Sequence, residues 1–363
     1  MTTMNTIQKT QAAEGFEIKP APIPTIQPNE VLVKVLKTSI CGTDLHITQW
    51  DAWSASRIKP PMVFGHEFCG TIEQVGSQVA DFKTGDYVSA EMHLIEVKTG
   101  ERGTPILEDT GIIYGVDRPG CFAEYIALPA QQLVKLSDKI SPEVGACLDS
   151  LGNATYAVSR GKVDGKTVLI TGCGPIGLYA IPVAKALGAT KVFASDVTPY
   201  RLDLARKANA DMVLDASQQV VSEAIKQATD GEGVDVVIDM SGNPRAIQDG
   251  FEALKQHGTF VMLGIPPGPI ELDINRHIIF KQARVVGVTG RHIFDTWDTM
   301  IELLESGKVD ISFIITHQLA MDQFGEGIEA MKKGAAGKII LDPHRSSTTT
   351  PASDMTQQTA SLA

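Results

Sequence analysis

One segment constrains this chain more than any other. The apolar run at residues 167–171 leads without a break into Gly172-Cys173-Gly174-Pro175-Ile176-Gly177, and a helical run through Tyr179, Val183 and Leu187 follows. Glycines at that spacing are a weak signal alone, because glycine-rich turns occur by chance. Between a strand and a helix they have a physical purpose. The first allows a tight turn, the second lets a pyrophosphate approach the backbone, and the third lets helix and strand pack closely. The helix start then offers free N–H groups to the phosphates. The segment belongs to a long apolar run, residues 168–189. Gly172, Gly174, Gly177, Gly188, Pro175, Pro182 and Lys185 interrupt that run, and a membrane-spanning helix tolerates such interruptions poorly.

The surroundings repeat the pattern. Short apolar runs at 167–171, 191–196, 212–215, 234–240, 259–263 and 284–288 alternate with helical stretches. Alternating β and α units specify a parallel sheet with helices on its faces. Six such strands suit a doubly wound, dinucleotide-binding α/β domain of the Rossmann type. The first third reads as β-rich. Val31, Val33 and Val35 alternate with Leu32, Lys34 and Leu36, as in a strand with two unlike faces. Pro20, Pro22, Pro24 and Pro28 exclude a helix before it. Further strand-like runs lie at 86–89, 122–128 and 132–136. Past about residue 291, Phe294, Trp297, Ile301 and Leu304 mark one helix face, and Phe324, Ile328 and Met331 mark another. With 363 residues and roughly 150 per domain, the chain divides in two. Residues 1–154 and 292–363 form one domain, and 155–291 the other. The polar, low-complexity stretch 345–363 is expected to be disordered.

Charge removes several functions. Lys and Arg number 32 against 43 Asp and Glu, for a net charge of -11. A nucleic-acid binder needs clustered cations for phosphate contacts, and an anionic membrane surface needs them too. Neither partner is expected. Five scattered cysteines, Cys41, Cys69, Cys121, Cys147 and Cys173, do not make a disulfide framework and fit a reducing cytoplasm. The N-terminus has no apolar stretch of signal-peptide length.

Asp196 ends the next apolar run after the glycines. A carboxylate there accepts hydrogen bonds from ribose hydroxyls and repels a 2′-phosphate, which favours NAD over NADP. The plainer reading is a helix cap. Arg201 either covers the adenine or ribose or is solvated, and an Asp196–Arg201 pair across an NADP phosphate is a further option.

A second constellation lies in the β-rich third. Cys41-Gly42-Thr43-Asp44-Leu45-His46 follows the first strand, and Gly65-His66-Glu67-Phe68-Cys69-Gly70 comes later, with Gly76 and Val79 beyond. A thiolate, an imidazole and a carboxylate suit Zn²⁺, and three protein ligands with an open fourth position make a catalytic zinc. Residue types alone leave the bland reading open, since a lone Cys or His is usually a core residue. Spacing adds more. G-H-E-x-x-G-x5-G-x-x-V, ending at Val79, resembles the zinc signature of the medium-chain alcohol dehydrogenase family, as does C-G-T-D-x-H upstream. The resemblance covers about residues 14–342. Within the family, residues 38–44, 50–54, 118–125, 151–154, 263–267, 290–291, 294–297 and 314–317 are similar to the branch that acts on threonine. The sorbitol and butanediol branches share the motifs but look less similar in these segments.

The resemblance implies a partly open, GroES-like β-barrel beside the Rossmann domain, with the active site in the cleft between them. It implies that Cys41 and His66 bind zinc and that Glu67 binds it or stands just behind. Asp149 matches an acidic third or fourth ligand, one methylene shorter than the Glu usual there. Thr43 and His46 match a proton relay; the alternative is that Thr43 caps a turn and His46 is solvated. His93 matches a residue near the substrate. Leu263 and Ile265 join Gly172, Gly174, Pro175, Ile176, Gly177, Asp196 and Arg201 at the NAD site. The implied reaction is zinc- and NAD-dependent oxidation of the β-hydroxyl of L-threonine to 2-amino-3-oxobutyrate. The alternatives are a polyol, vicinal-diol or amino-sugar alcohol, or a non-catalytic NAD-binding protein. The implied assembly is a homo-oligomer, a dimer or tetramer.

The pattern breaks at one place. The family usually carries four closely spaced cysteines, holding a structural zinc, in the stretch that here spans residues 93–120. This chain has no cysteine there before Cys121. One catalytic zinc and no structural zinc are therefore expected. The stretch is expected to be a hairpin turning at Lys98-Thr99-Gly100-Glu101, or a flexible loop.

Overall fold

β1 (Thr3–Lys9), β2 (Glu17–Pro22) and β3 (Glu30–Ile40) open the chain, followed by α1 (Gly42–Gln49), α2 (Ala52–Arg57), β4 (Met62–Val63), β5 (Phe68–Val75) and β6 (Tyr87–Ala90). The computed structural model describes residues 2–99 and 105–347, without the side chains of 97–99 and 105–108. β3 is the spine of this half. Val31, Val33 and Val35 are fully buried, as the alternation predicts. β3 pairs antiparallel with β5 along one edge. Its other edge is shared by β9 (Tyr125–Pro129), beside residues 30–34, and by the last strand of the chain, beside residues 38–40. The far end of the chain thus closes over Ser39 and Ile40, just before Cys41.

β7 (His93–Thr99) and β8 (Pro105–Ile113) pair antiparallel, so the cysteine-free stretch is a two-stranded ribbon. The expected turn at Lys98–Glu101 lies partly outside the described residues. β10 (Leu133–Lys135), α3 (Pro142–Gly145) and α4 (Leu148–Gly161) lead onward. The boundary expected at 154/155 falls inside the unbroken α4.

Six strands follow, each where an apolar run predicts one: β11 (Thr167–Thr171), β12 (Lys191–Asp196), β13 (Met212–Asp215), β14 (Val234–Asp239), β15 (Leu254–Met262) and β16 (Arg284–Gly287). Between them run α5 (Pro175–Ala186), α6 (Pro199–Lys207), α7 (Val221–Ala228) and α8 (Pro244–Ala253). All pair in parallel in the order β13-β12-β11-β14-β15-β16. That is the 3-2-1-4-5-6 order of a doubly wound sheet, whose ligand crevice lies at the carboxyl ends of the strands.

The chain then returns through α9 (Asp295–Glu305), β17 (Ile315–Ala320), α10 (Phe324–Lys332) and β18 (Lys338–Asp342). The α9 face is turned from the expected one. Trp297, Met300 and Leu303 are buried, while Phe294, Ile301 and Leu304 are only partly so. The reason is tertiary, because Trp297 inserts its whole ring and fixes the roll of the helix. One core cluster joins α4, α9 and the parallel sheet to Cys69, Leu136 and Ile340 of the β-rich half. The tail expected to be disordered from residue 345 is docked at its start, where Ser347 N–H donates to Asp322 Oδ1 at 3.1 Å. The remainder, 348–363, lies outside the described residues. No helix among the described residues is long and apolar enough to cross a membrane.

Candidate active site

Cys41 leaves β3 as the N-cap of α1, and its backbone N–H donates to Asp44 Oδ2 at 2.8 Å. The Cys41 thiol comes within 3.9 Å of Thr43 Oγ1 on the first turn. His66 and Glu67 enter from a second turn. Gly65 sits at φ +90°, and a Cβ there would lie 2.5 Å from the Phe122 ring. Only glycine fits, and the bend delivers both side chains inward ahead of β5. Cys41, His66 and Glu67 bring their donor atoms within 4.8 Å of one another. These are three of the four expected metal ligands.

The cluster is buried and rich in acid. Burial works against a charged His66, but Cys41, Asp44 and Asp149 hold its pKa up at about 10. Asp44 is wholly buried, with its Oδ1 3.8 Å from His66 Nδ1. Burial pushes the Asp44 carboxyl up to about 6, against the pull of His66. One Glu67 oxygen is held by Lys338 Nζ and Ser39 Oγ. The other, Oε1, and His66 Nδ1 are buried with no hydrogen-bond partner among the described residues. Buried orphans of this kind are costly unless a ligand satisfies them. A thiolate, an imidazole and a carboxylate around them are the donor chemistry of Zn²⁺, so the residues fit the metal.

Asp149 is not among the three converging donors. Its Oδ1 takes Arg291 Nη2 at 2.5 Å, and its carbonyl takes Arg291 Nη1 at 2.7 Å. Arg291 also grips Glu91 with a fork of 2.7 and 3.0 Å, and Trp297 Nε1 donates to the same carboxylate at 3.0 Å. A carboxylate shorter by one methylene is thus held by the guanidinium beside the cluster. His93 begins β7 and pairs with Asp109 at 2.9 Å. His46, also on α1, has an exposed side chain, with Nδ1 2.6 Å from Asp51 Oδ2.

The nucleotide turn is local. Gly172 sits at φ +91°, and a Cβ on Gly177 would lie 1.9 Å from the Gly172 carbonyl. Gly174 faces open space and caps α5, whose first residue is Pro175. The glycine roles therefore fit a pyrophosphate: a turn, an open approach and a close packing contact. Asp196 Oδ1 accepts from Val197 and Thr198 N–H, each at 2.8 Å, and Oδ2 accepts from Cys173 N–H at 2.7 Å. It ties the glycine turn to β12, while Thr198, not Asp196, is the N-cap of α6. Arg201 lies 3.9 Å from the same carboxylate. At the carboxyl edge of the sheet, Leu263 N–H donates to the Asp239 carbonyl and Ile265 is 88% exposed.

The chain matches known proteins along most of its length. Residues 27–138 match the alcohol dehydrogenase GroES-like domain, and 175–306 match the zinc-binding dehydrogenase family. An L-threonine 3-dehydrogenase of Bacillus velezensis is 44% identical over 94% of this chain and 99% of its own length. The chain belongs to the zinc-binding alcohol dehydrogenase family. It is an oxidoreductase that uses zinc and a nicotinamide cofactor. The structure of 2R,3R-butanediol dehydrogenase from Bacillus subtilis matches with a TM-score of 0.83 at 29% identity, covering 94% of this chain and 99% of that one. A zinc-binding dehydrogenase from Sinorhizobium meliloti, bound to NADP, matches with 0.83 at 26%, covering 94% and 100%.

Sequence reasoning missed the groups that hold these residues. Lys338 is a wholly buried cation, kept charged above its usual range by Glu67 and Cys41 although burial opposes this. Its only signal is a lysine opening the apolar strand Lys338–Asp342. Arg291 and Asp44 appear in the sequence only within family-like strings, with no sign of the partners they meet, and Glu91 carries no local signal.

Proposed function

We propose that this chain oxidises the β-hydroxyl of L-threonine to 2-amino-3-oxobutyrate, with NAD as acceptor and one catalytic zinc. The observation that carries this is the 44% identity, over nearly the full length of both chains, to an L-threonine 3-dehydrogenase. Cys41, His66 and Glu67 hold the metal, with Asp149 and Arg291 beside it. Zinc supplies Lewis acidity toward the hydroxyl, and the nicotinamide supplies the hydride acceptor. Thr43, on the first turn of α1, takes the hydroxyl proton outward, and His46 releases it at the surface. Gly172, Gly174, Pro175, Ile176 and Gly177 cradle the pyrophosphate. Asp196 and Arg201 take the adenosine ribose, and Leu263 and Ile265 cover the cofactor. His93, at the head of β7, faces the substrate side.

NAD rather than NADP follows from Asp196, whose buried carboxylate charge repels a 2′-phosphate. A single zinc follows from residues 93–120, which offer no thiolate. Residues 1–154 with 292–363 and residues 155–291 act as the two domains, with α4 shared between them. Self-association into a dimer or tetramer follows from β16, the edge strand of its sheet among the described residues, whose own Val285 is exposed and which exposed Ile279 and Phe280 precede. Five free thiols fit a cytoplasmic enzyme. The likeness to butanediol dehydrogenase supports a second reading, the same chemistry on a vicinal diol or polyol. Rates of NADH formation on threonine, 2,3-butanediol, sorbitol and simple alcohols separate the two. The highest kcat/KM is expected for threonine, and a preference for the diol overturns the proposal.

A further inference from the structure

His46 and Asp51 sit on either side of the reversal at Trp50, whose φ is +56°. His46 Nδ1 and Asp51 Oδ2 are 2.6 Å apart, while Asp51 Oδ1 accepts from Ser54 N–H at 2.9 Å to cap α2. One carboxylate has two tasks, and the first serves the second. The helix cap fixes the rotamer, and the fixed rotamer aims Oδ2 at the imidazole. Trp53 stands edge-on to the same ring at 6.4 Å. An ionised carboxylate only accepts, so the hydrogen of a neutral His46 belongs on Nδ1. That leaves Nε2 as the acceptor. The His46 side chain is 58% exposed, so a proton arriving on the ring has a direct way into water.

We propose that Asp51 is a positioning residue that holds His46 as the Nδ1–H tautomer, so that Nε2 receives the proton leaving the substrate. The proposal rests on the relay role given to His46 above. The substrate O–H bond breaks and its proton, passed outward, forms an N–H bond at Nε2. The imidazolium so formed faces the Asp51 carboxylate and then gives the Nε2 proton to water. The hydride leaves separately, to the nicotinamide.

Asp51→Asn isolates this task. Asn caps helices about as well as Asp, so its carbonyl keeps the Ser54 N–H. Its amide N–H group then faces Nδ1 and makes that atom an acceptor. Nitrogen-15 NMR of the histidine-labelled apoenzyme, at about pH 8.5 where a free imidazole is neutral, reads the tautomer, and His46→Gln assigns the signal. The wild type is expected to show an unprotonated Nε2. Asp51→Asn is expected to move the proton to Nε2, keep the melting temperature and the KM for NAD, and lower kcat about 10²-fold, the lower end for a positioned acid–base group. An unchanged tautomer in Asp51→Asn overturns the proposal. So does a changed tautomer with full kcat while His46→Gln is impaired. Full activity in His46→Gln overturns the relay, and this proposal with it.

Discussion

The nucleotide turn is built from neighbours in sequence, whereas the metal donors come from segments that meet only in the fold. Gly172 to Gly177 are six consecutive residues, and their geometry follows from one turn between β11 and α5. Cys41, His66 and Glu67 arrive from α1 and the lead into β5, and the cation that holds Glu67 comes from β18. The first site uses backbone N–H groups, which every residue except a proline such as Pro175 has. The second uses buried charges, which must be compensated at distance. A backbone site is therefore tolerant of its surroundings, and a buried-charge site is not.

The largest expected effect tests that intolerance. Lys338→Met removes the buried partner of Glu67 and leaves an unpaired carboxylate. Breaking a buried pair in this way costs about 3–5 kcal/mol. Loss of a group that supports a ligand lowers metal affinity about 10–100-fold. Denaturant unfolding and zinc retention against a weak chelator measure both. A stable Lys338→Met protein with full zinc breaks the contrast, because the metal side would then be as self-sufficient as the glycine turn.

A smaller effect is expected at the nucleotide side. Asp196→Ala removes an acceptor from the ribose and loosens the tie to Cys173 N–H. Hydrogen bonds to a charged group contribute about 1.5–3 kcal/mol, so NAD binding weakens about ten- to a hundredfold. NADP binding changes less, and zinc content stays constant. Titration calorimetry with both dinucleotides decides this, and equal wild-type affinities for the two defeat the assignment.

The smallest effect comes from an ion pair outside both sites. Asp235 accepts from Thr167 N–H at 2.9 Å and pairs with Lys255 at 2.5 Å. Burial opposes its ionisation, but Lys255 and Thr167 outweigh it and hold the pKa below the usual 3.8. A depressed carboxylate stabilises the fold above its unfolded value and loses that contribution as pH falls through its folded value. Asp235→Asn should therefore cost stability at neutral pH, and the gap to wild type should close below about pH 4. Solvent screening limits the gap to about 1 kcal/mol. A gap that widens in acid reverses the sign of this account.

The same contrast explains what the sequence reveals. The central strands β11 and β14 are legible because each is a short apolar run buried on both faces, and the edge strands β13 and β16, only partly buried, because each still carries a short apolar run between helical stretches. The glycine turn is legible because its constraint is steric and local. Cys41, His66 and Glu67 are legible through their motif spacing, which resembles the zinc signature, since residue types alone leave a core Cys or His equally open. Lys338 and Glu91 are not, because a single charge in a strand acquires meaning only from the carboxylate or guanidinium that it meets across the fold. Asp149 shows the cost of that gap. The family resemblance implies a ligand there, and in the fold Arg291, 142 residues away, binds its Oδ1. The roll of α9 was hidden in the same way, because one buried Trp297 outweighs the periodicity of its neighbours.

The central claim is that three converging donors hold one zinc that the fold requires for chemistry but not for NAD binding. Elemental analysis of purified protein, dialysed against a weak chelator, tests it most directly. Wild type is predicted to retain one zinc per chain. Cys41→Ser is predicted to retain none, to lose activity, and to bind NAD as before. Two tightly held zincs per chain, or full activity with no zinc at all, would contradict the account.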